Sequence, residues 1–320
     1  MYDIVTVGSA TIDIFVKTHS SAKQILTHAS ERDICLPIGA KVLVDDIHIF
    51  TGGGGTNTAV AFSRMGFKTA WHGVVGSDEN GKTILAELKK EKVTPVTKPT
   101  KGRTGLSVIL VGLEHDRTVL TYKGVNDKLT DSHFPATKWL YCCSMLGKSW
   151  NTLVQTCFHA RRQGTKIAFN PSMYLAKQGV VKLAPVLYGL DVLLLNKQEA
   201  QALLKKPHGT IKELLRALSA IVHIPVITDG ANGSFATEGE FIFALKPKHI
   251  NVVESTGAGD AFASGFVAGQ MLGKNIIESL KMGQAEAAGV LGNIGAKTGL
   301  RSRTQIVTSA KREKVTVTKL

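Results

Sequence analysis

The chain has 320 residues and a mass of 34.3 kDa, a size that favours one large α/β domain over a small module. Its residues are 43% hydrophobic and 20% charged, so the sequence can bury a sizeable core and does not have the composition of a disordered protein. Its 39 Lys and Arg against 25 Asp and Glu give a net charge of +14, which is typical of proteins with anionic partners.

The distribution of the basic residues indicates which kind of anion to expect. They are scattered, apart from Arg301, Arg303 and the tail at 311–314, and aromatic residues make up only 6% of the chain. Few side chains are therefore available to stack on bases, and we expect no nucleic-acid partner. The longest apolar runs fall short of the roughly 18 residues of a membrane-spanning helix, which predicts no membrane partner.

The chain begins with a strand-like pattern and shows no signal peptide, which predicts a cytoplasmic protein. Its cysteines include no C-x-x-C pair, and we expect all of them to be reduced and mostly packed. They are Cys35, Cys142, Cys143 and Cys157.

Apolar segments rich in Val, Ile and Leu alternate with helical patterns along most of the chain. This order is typical of a mainly parallel sheet with helices on both faces. The predicted strands are Ile4–Val7, Thr69–Val75, Trp139–Cys142, Lys166–Phe169, Val192–Leu195 and Pro225–Thr228. The predicted helices are Thr56–Met65, Gly81–Lys92, Thr152–Gln163, Lys197–Leu204, Ile211–Ala220 and a long helix from about Asp260. No linker is visible, so residues 1–320 are predicted to form a single α/β domain.

Two segments interrupt this order with β-type patterns and no helix between them. They are predicted to form a small, discontinuous β lid from about residues 34–51 and 105–121. The C-terminal segment Ala310–Leu320 alternates Val and Thr, which indicates a short edge strand or a frayed tail.

Three glycine-rich segments are candidates for binding a ligand. The first, Gly76–Thr83, satisfies the P-loop expression G-x-x-x-x-G-K-[ST]. Its Asp78 and Glu79 would add negative charge beside a phosphate, so we favour a plain strand-to-helix connection in which Asp78 or Asn80 caps the helix.

The second segment, Gly52–Asn57, places four glycines before Thr56 and Asn57 at a helix start. Glycines allow a ligand to approach the backbone closely, while the hydroxyl and amide can bind polar groups. This pattern predicts a polyol-binding edge, and a simple hairpin-to-helix turn is the alternative.

The third segment, Glu254–Asp260, leads into a helix of small residues. Backbone N–H groups from Gly257, Ala258, Gly259 and Asp260, at the positive end of that helix, would form an anion hole suited to a transferring phosphoryl group. A carboxylate in such a site can take a proton from an attacking hydroxyl, which makes Asp260 a candidate general base.

Two shorter groups follow the next predicted strands. Asn196 and Glu199 share one face of a helix start, where the pair can hold hydrated Mg²⁺ or form a capping box. The segment Thr228–Gly233 can line a nucleotide pocket or form a plain glycine turn.

Taken in order, these motifs resemble the ribokinase-like (PfkB) carbohydrate kinase family from Gly8 to about Arg303. Gly52–Gly66 is similar to the family's N-terminal glycine motif, Asn196–Glu199 to its N-x-x-E motif, and Glu254–Phe262 to its signature D-T-x-G-A-G-D-x-F. Gly76–Gly81 is similar to the family's G-x-D-x-x-G connection, which is not its phosphate site.

The resemblance implies a ribokinase-like fold and an ATP-dependent transfer of the γ-phosphoryl group to a sugar hydroxyl, with Mg²⁺, beneath the lid. It assigns catalysis to Asp260 with the Gly257, Ala258 and Gly259 anion hole, and Mg²⁺ binding, through water, to Glu199. Substrate-binding residues by the same matching are Asp13, Gly52, Gly53 and Asn57. Nucleotide-binding residues are Asn196, Thr228, Gly230, Gly233 and Gln284, with 283–285 and 292–298 on the adenine side.

One departure lies within the signature, where Glu254 stands at the position usually held by an aspartate. Many members have a potassium or sodium site in this region, and the longer side chain puts activation by a monovalent cation in doubt. Asp229 also adds a negative charge near the expected phosphates.

The resemblance does not fix the substrate. A small sugar of the ribose or fructose type is expected first and a nucleoside second, and a non-catalytic sugar- or nucleotide-binding regulator is the alternative of another class. A homodimer joined through the lids is expected, with contacts from apolar residues of both lid segments; packing of these residues against their own domain is the alternative. These are Val42, Val44, Ile47, Val108, Leu110 and Leu113.

Overall fold

The fold is described by a computed structural model that covers residues 1–18, 24–28, 31–35, 38–39, 41–111, 117–247 and 252–319. The strands are β1 (Tyr2–Val7), β2 (Thr11–Thr18), β3 (Gln24–His28), β4 (Glu31–Cys35), β5 (Val44–Gly52), β6 (Thr69–His72), β7 (Thr94–Pro95), β8 (Gly105–Val111), β9 (Arg117–Tyr122), β10 (Thr137–Cys143), β11 (Lys166–Asn170), β12 (Val192–Asn196), β13 (Ile224–Thr228), β14 (Ser234–Glu238), β15 (Phe241–Leu245) and β16 (Val315–Lys319). The helices are α1 (Gly54–Arg64), α2 (Glu79–Lys90), α3 (Lys148–Arg162), α4 (Met173–Ala176), α5 (Gly179–Leu187), α6 (Lys197–Leu204), α7 (Ile211–Ser219), α8 (Ala258–Met271), α9 (Ile276–Leu291) and α10 (Arg303–Ala310).

The main sheet has the strand order β16-β15-β14-β13-β12-β11-β10-β1-β6-β7. Neighbouring strands from β7 to β13 are parallel, whereas β13 to β16 are antiparallel. The mainly parallel sheet is therefore confirmed. The hairpin β14–β15 was not predicted, and the C-terminal Val-Thr alternation forms β16, an edge strand.

Apolar side chains fill both faces of this sheet. On one face, Phe62 of α1, Ile84 of α2 and Phe266 of α8 belong to one buried cluster. On the other, Leu153 of α3 and Leu214 of α7 belong to a second cluster. Helices therefore cover both faces, as the alternation of apolar and helical segments predicts.

A second sheet, the lid, has the order β5-β2-β8-β9. The two predicted lid segments contain β5, β8 and β9, while residues 36–37, 40 and 112–116 of those segments lie outside the described residues. Strand β2, which pairs with both β5 and β8 at the centre of the lid, was not predicted to belong to it. The strand pair β3–β4 forms a separate sheet.

The side chains of β2 alternate between two faces because successive residues of a strand point to opposite sides. Asp13 and Phe15 share the face that is directed towards the main domain, and both are buried. Ile14 and Val16 share the opposite face. The chain thus passes from the main sheet (β1) into the lid (β2), and Asp13 lies on the lid strand.

The remaining structural expectations concern membranes and cysteines. Within the described ranges, no helix is both long enough and apolar enough to span a membrane. The thiols of Cys142, Cys143 and Cys157 are buried and free, while the side chain of Cys35 lies outside the description. The cytoplasmic location and the lack of a nucleic-acid partner stay predictions.

Candidate active site

Asp260 lies in the first turn of α8, beside Asn57 of α1. Gly257 caps this helix with φ 80°, and a Cβ at Gly257 would lie 2.4 Å from Cβ of Ala296, so only glycine fits there without displacing its neighbour. Asn57 Nδ2 donates a hydrogen bond of 2.9 Å to Asp260 Oδ2. Asn57 Oδ1 is buried and has no hydrogen-bond partner among the described residues. This acceptor is therefore available to a ligand.

Burial raises the pKa of the Asp260 carboxyl above its ordinary value, although the hydrogen bond from Asn57 acts in the opposite direction. The negative charge of Asp13 raises the pKa of Asp260 further, and the positive charge of Lys297 lowers it. Asp260 is thus a carboxylate whose affinity for a proton exceeds that of an exposed aspartate, as a general base requires.

Asp13 stands on β2, where it is 6% exposed. Thr11 Oγ1 donates a hydrogen bond of 2.8 Å to Asp13 Oδ1. Burial raises the pKa of Asp13, and hydrogen bonds from the Thr11 and Ser107 side chains lower it. A Cβ at Gly52 would lie 1.8 Å from Asp13 Oδ2, so the carboxylate rests directly on the Gly52 backbone.

The glycines after β5 form the turn into α1 and approach the β1–β2 connection closely. Gly53 has φ 95°, and its Cβ would lie 2.5 Å from the carbonyl oxygen of Ser9. A Cβ at Gly55 would lie 2.5 Å from the carbonyl carbon of Gly8. A strand-to-helix turn and a close approach to Asp13 therefore coexist in this segment, and the two interpretations left open by the sequence do not exclude each other.

The N-terminus of α8 is open to a ligand. The first N–H groups of an α-helix have no acceptor within the helix, and they lie at the positive end of its dipole. Gly259 is exposed, and a Cβ placed on it would meet no atom within 4 Å. This end of the helix can bind an anion beside Asp260.

Two adjoining cavities bring the other predicted residues together. The larger, about 670 Å³, is lined by Thr228, Gly230, Gly233 and Gln284 together with Ser255, Ala258 and Gly259. The smaller, about 120 Å³, is lined by Asn196, Glu199 and Asp260. Thr228, Gly259 and Phe262 line both cavities. The expected nucleotide residues therefore line two adjoining cavities, and Asp260 borders the smaller one.

Part of the expected adenine side is placed elsewhere. Gln284 and Leu291 line the larger cavity, but Gly295 lies against the ring of Phe50 in the lid. Lys297 pairs with Glu87 of α2 at 2.5 Å. The segment 292–298 thus contacts the base of the lid at Gly295 and α2 at Lys297.

Asn196 and Glu199 form a capping box at the start of α6, with Glu199 N–H donating to Asn196 Oδ1 and Asn196 N–H donating to Glu199 Oε2. Burial raises the pKa of Glu199 to about 7, and the nearby charge of Asp260 adds to this effect. Lys197 Nζ lies 3.3 Å from Asp229 Oδ2, so the extra negative charge noted in the sequence is paired.

The same residues fit a hydrated divalent cation. Glu199 and Asp260 both border the smaller cavity, and Mg²⁺ takes few protein ligands while keeping several waters. Within the described part of the chain, no group of three or more His, Cys, Asp or Glu is arranged to hold a metal ion. A site with one or two carboxylates and water is consistent with this arrangement.

The P-loop expression is a strand-to-helix connection. Asp78 caps α2 by accepting a hydrogen bond of 3.0 Å from Gly81 N–H, and it also accepts one of 2.9 Å from Thr104 N–H. Lys82 pairs at the surface with Glu79. The capping interpretation is therefore confirmed.

Sequence reasoning missed two charged residues beside the site. Lys297 is 6% exposed and acts electrostatically on both Asp13 and Asp260. Arg117 of the lid reaches Glu254 and Ser255, which precede the anion site. No local pattern marks either residue, because each depends on a contact between segments far apart in the chain.

Comparison with known proteins identifies the family. Residues 1–303 match the model described as pfkB family carbohydrate kinase. The chain belongs to this family. It is therefore an ATP-dependent carbohydrate kinase, and the resemblance seen in the motifs is confirmed.

Curated relatives agree with this assignment. An uncharacterized sugar kinase of Archaeoglobus fulgidus is 30% identical over 247 residues, which cover 75% of this chain and 98% of the relative. A ribokinase of Bacillus subtilis is 26% identical over 318 residues, covering 96% and 98% of the two chains.

Solved structures share the fold. The adenosine kinase of Sinorhizobium meliloti superposes with a TM-score of 0.80 at 22% identity, covering 97% of this chain and 99% of that one. The Arabidopsis thaliana ribokinase, complexed with ribose and ATP, gives 0.78 at 20% identity with the same coverage. The ribokinase-like α/β fold is thus confirmed.

Proposed function

We propose that this kinase transfers the γ-phosphoryl group of ATP to a hydroxyl of a small sugar of the ribose or fructose type, with Asp260 as the general base. The observation that carries the proposal is the Asn57–Asp260 pair at the open N-terminus of α8. The Nδ2 group of Asn57 donates to the Asp260 carboxylate and orients it, and Asn57 Oδ1 is a buried acceptor without a partner among the described residues. A buried amide oxygen in this position favours a ligand that donates a hydrogen bond, and a sugar hydroxyl is such a donor.

The sugar would lie between the lid and α8. Asp13 and Asn57 would bind its hydroxyls, and the Gly52 and Gly53 backbone would allow it to approach closely. The nucleotide would occupy the larger cavity, bordered by Thr228, Gly230, Gly233 and Gln284, with its terminal phosphate towards α8 and towards Asn196 in the smaller cavity.

In the reaction, Asp260 takes the proton of the attacking sugar hydroxyl. The hydroxyl oxygen bonds to the γ-phosphorus, and the bond between the γ-phosphorus and the bridging oxygen breaks, which releases ADP. The N–H groups of Gly257, Ala258 and Gly259 stabilise the charge of the transferring group. Mg²⁺ bound near Glu199 through water would supply charge neutralisation of the triphosphate. The lid excludes water, so that the phosphoryl group is transferred to the sugar.

A nucleoside is the second candidate substrate, because the substrate-facing side of the lid is aromatic. The rings of His48 and Phe50 stack with centroids 6.2 Å apart, and Phe15 meets Phe50 edge-on at 5.8 Å. Such a wall can pack against a nucleobase.

A coupled ADP-release assay over a panel of sugars and nucleosides tests these assignments. The proposal predicts turnover with a free sugar, and a preference above about 100-fold for a nucleoside would reverse the order of the two substrates. Thermal stabilisation by a sugar without any turnover would indicate a non-catalytic regulator.

We also infer a homodimer joined through the lids. The lid face opposite Asp13 is apolar, with Ile49, Ile14, Val108 and Leu120 side by side across four strands. Ile14 packs partly against the core of the main domain. Ile49 is 64% and Leu120 56% exposed. A twofold mate would bury such a face.

The other expected contact residues divide by position. Ile47 and Leu110 lie in the next row of the same face, Val44 is the first residue of β5, and Val42 lies two residues before it. Leu113 lies outside the described residues.

Light scattering tests the dimer. The wild type should show twice the chain mass of 34.3 kDa. Ile49→Asp should reduce it to 34.3 kDa, and Val181→Asp on α5, at a side chain 92% exposed, should not. A wild-type mass of 34.3 kDa would refute the dimer.

A further inference from the structure

One lid side chain bridges to the loop that shapes the anion site. Arg117 opens β9 and stands in the same row as Val111 and Lys17, on the face that carries Asp13. Its Nη1 lies 3.7 Å from Glu254 Oε1 and also donates a hydrogen bond to Ser255 Oγ. Because Glu254 and Ser255 lead directly into the N-terminus of α8, this contact links the lid to the anion site.

Glu254 is a buried carboxylate that needs a positive charge. The residue is 8% exposed, and its Oε1 accepts hydrogen bonds from the N–H (2.6 Å) and Oγ1 (2.5 Å) of Thr256. Its Oε2 is buried and has no hydrogen-bond partner in the described ranges. A buried, unpaired carboxylate is costly, and the cation that the described residues place within 4.0 Å of it is Arg117.

The arrangement does not fit the potassium or sodium ion that the family resemblance implies. The N–H and Oγ1 of Thr256 already donate to Oε1, and the guanidinium of Arg117, whose Nη1 lies 3.7 Å from the same oxygen, carries the positive charge that balances Glu254. A second cation on the same carboxylate would lie close to the guanidinium and be repelled by it. The extra methylene of Glu254, compared with the usual aspartate, extends the carboxylate to where a lid residue can reach it.

We propose that Arg117 is a positioning residue that takes the place of the monovalent cation. Closure of the lid delivers its guanidinium to Glu254 and Ser255, which holds the start of α8 in the geometry that binds the phosphoryl group. This proposal rests on the proposed function of α8. It couples substrate enclosure to phosphoryl transfer and makes the kinase independent of potassium and sodium.

Kinetics in a tetramethylammonium buffer test the replacement. Wild-type turnover should not change when potassium is added. Arg117→Met should lower kcat about 10- to 100-fold, as expected for a lost charged hydrogen bond, and added potassium or guanidinium should restore part of the rate. Lys17→Met removes a charge from the same lid face and should keep the wild-type rate. The double variant Arg117→Met with Glu254→Gln should lose the rescue.

Hydrogen exchange tests the contact without catalysis. In the unliganded protein, Arg117→Met should raise exchange of backbone amides in 117–122 and 254–259, and Lys17→Met should not. Glu254→Gln should also raise exchange of the backbone amides in 117–122. If none of the sugars and nucleosides in the ADP-release assay is phosphorylated, the proposed function fails. Hydrogen exchange then tests the contact of Arg117 with Glu254 and Ser255 by itself.

Three results would overturn the proposal. The first is a wild type that loses most of its turnover in tetramethylammonium and regains it with potassium. The second is an Arg117→Met variant that matches Lys17→Met in both rate and exchange. The third is an Arg117→Met variant whose rate neither ion restores.

Discussion

Gly52→Ala should weaken substrate binding specifically, because of the contact between Gly52 and Asp13. The added Cβ would lie 1.8 Å from Asp13 Oδ2, and real Cβ contacts are essentially never shorter than 3.0 Å. Asp13 is buried and held by Thr11 Oγ1 at 2.8 Å, so its carboxylate must rotate away from the sugar. A charged hydrogen bond contributes about 1.5–3 kcal/mol. Losing two of them lowers kcat/KM for the sugar by roughly 10²- to 10⁴-fold.

The assay is steady-state kinetics with sugar and ATP varied separately. The loss should fall mainly on the KM of the sugar, since the hydroxyls are bound in both the ground and transition states. ATP affinity should be unchanged, because the cavity that is proposed for the nucleotide does not include Gly52. Gly239→Ala is the control, as it adds a methyl group at φ 58° in the β14–β15 turn, far from Asp13. A Gly52→Ala variant with the wild-type KM would refute the placement of the sugar on Asp13.

Three further predictions follow from the contacts. Lys82→Ala should leave ATP affinity, measured by calorimetry, unchanged, because Lys82 pairs with Glu79 at the surface; a large loss would restore the P-loop interpretation. Asn57→Ala removes a hydrogen bond that lowers the pKa of Asp260. The acid limb of the pH profile of kcat/KM should therefore move to higher pH, and a move to lower pH would contradict the role of Asp260. Burial raises the pKa of Glu286 to about 7, above its ordinary value of 4.5, so the folded state holds more protons than the unfolded state between these values, and stability falls as pH rises from about 4.5 to about 7. Glu286→Gln should reduce this fall in the free energy of unfolding, measured with urea, by up to about 1.4 kcal/mol per pH unit. An unchanged pH dependence would contradict the raised pKa of Glu286.

The main sheet could be predicted because its signals are local. Continuous apolar runs such as Val192–Leu195 mark strands buried on both faces, and the observed β12 differs from the prediction by one residue. The helix Lys197–Leu204 matches the prediction because a capping box marks its start. Other helix starts were less exact: α1 begins two residues before its predicted start, after Gly53, which has no capping side chain, and α2 also begins two residues early although Asp78 caps it.

The lid was predicted only in part, since its central strand depends on pairing. Thr11–Thr18 has the alternation of a strand, but it follows β1 after a short break and gives no sign that it leaves the main sheet. Its partners lie at least 26 residues away in the sequence on β5 and 94 residues away on β8. The same holds for Arg117 and Lys297, whose importance comes from partners that the fold brings to them.

The motifs located the candidate site well but left alternatives that only geometry resolves. For Asn196 and Glu199, the spacing alone could not separate a metal site from a capping box, and the two side chains form the box while Glu199 also borders the cavity. For Gly76–Thr83, the negative charge of Asp78 favoured a helix cap over a phosphate-binding loop, because a carboxylate accepts backbone N–H groups but repels phosphate. The observed cap at Asp78 confirms this prediction.

Turnover of Asp260→Asn tests the central claim most directly. Asparagine keeps the size of the side chain but cannot accept the proton of the attacking hydroxyl. ADP release with sugar should therefore fall by roughly 10²- to 10⁴-fold, while the unfolding transition and ATP affinity stay at the wild-type values. A variant that folds, binds ATP and turns over at near the wild-type rate would contradict the assignment of Asp260 as the general base.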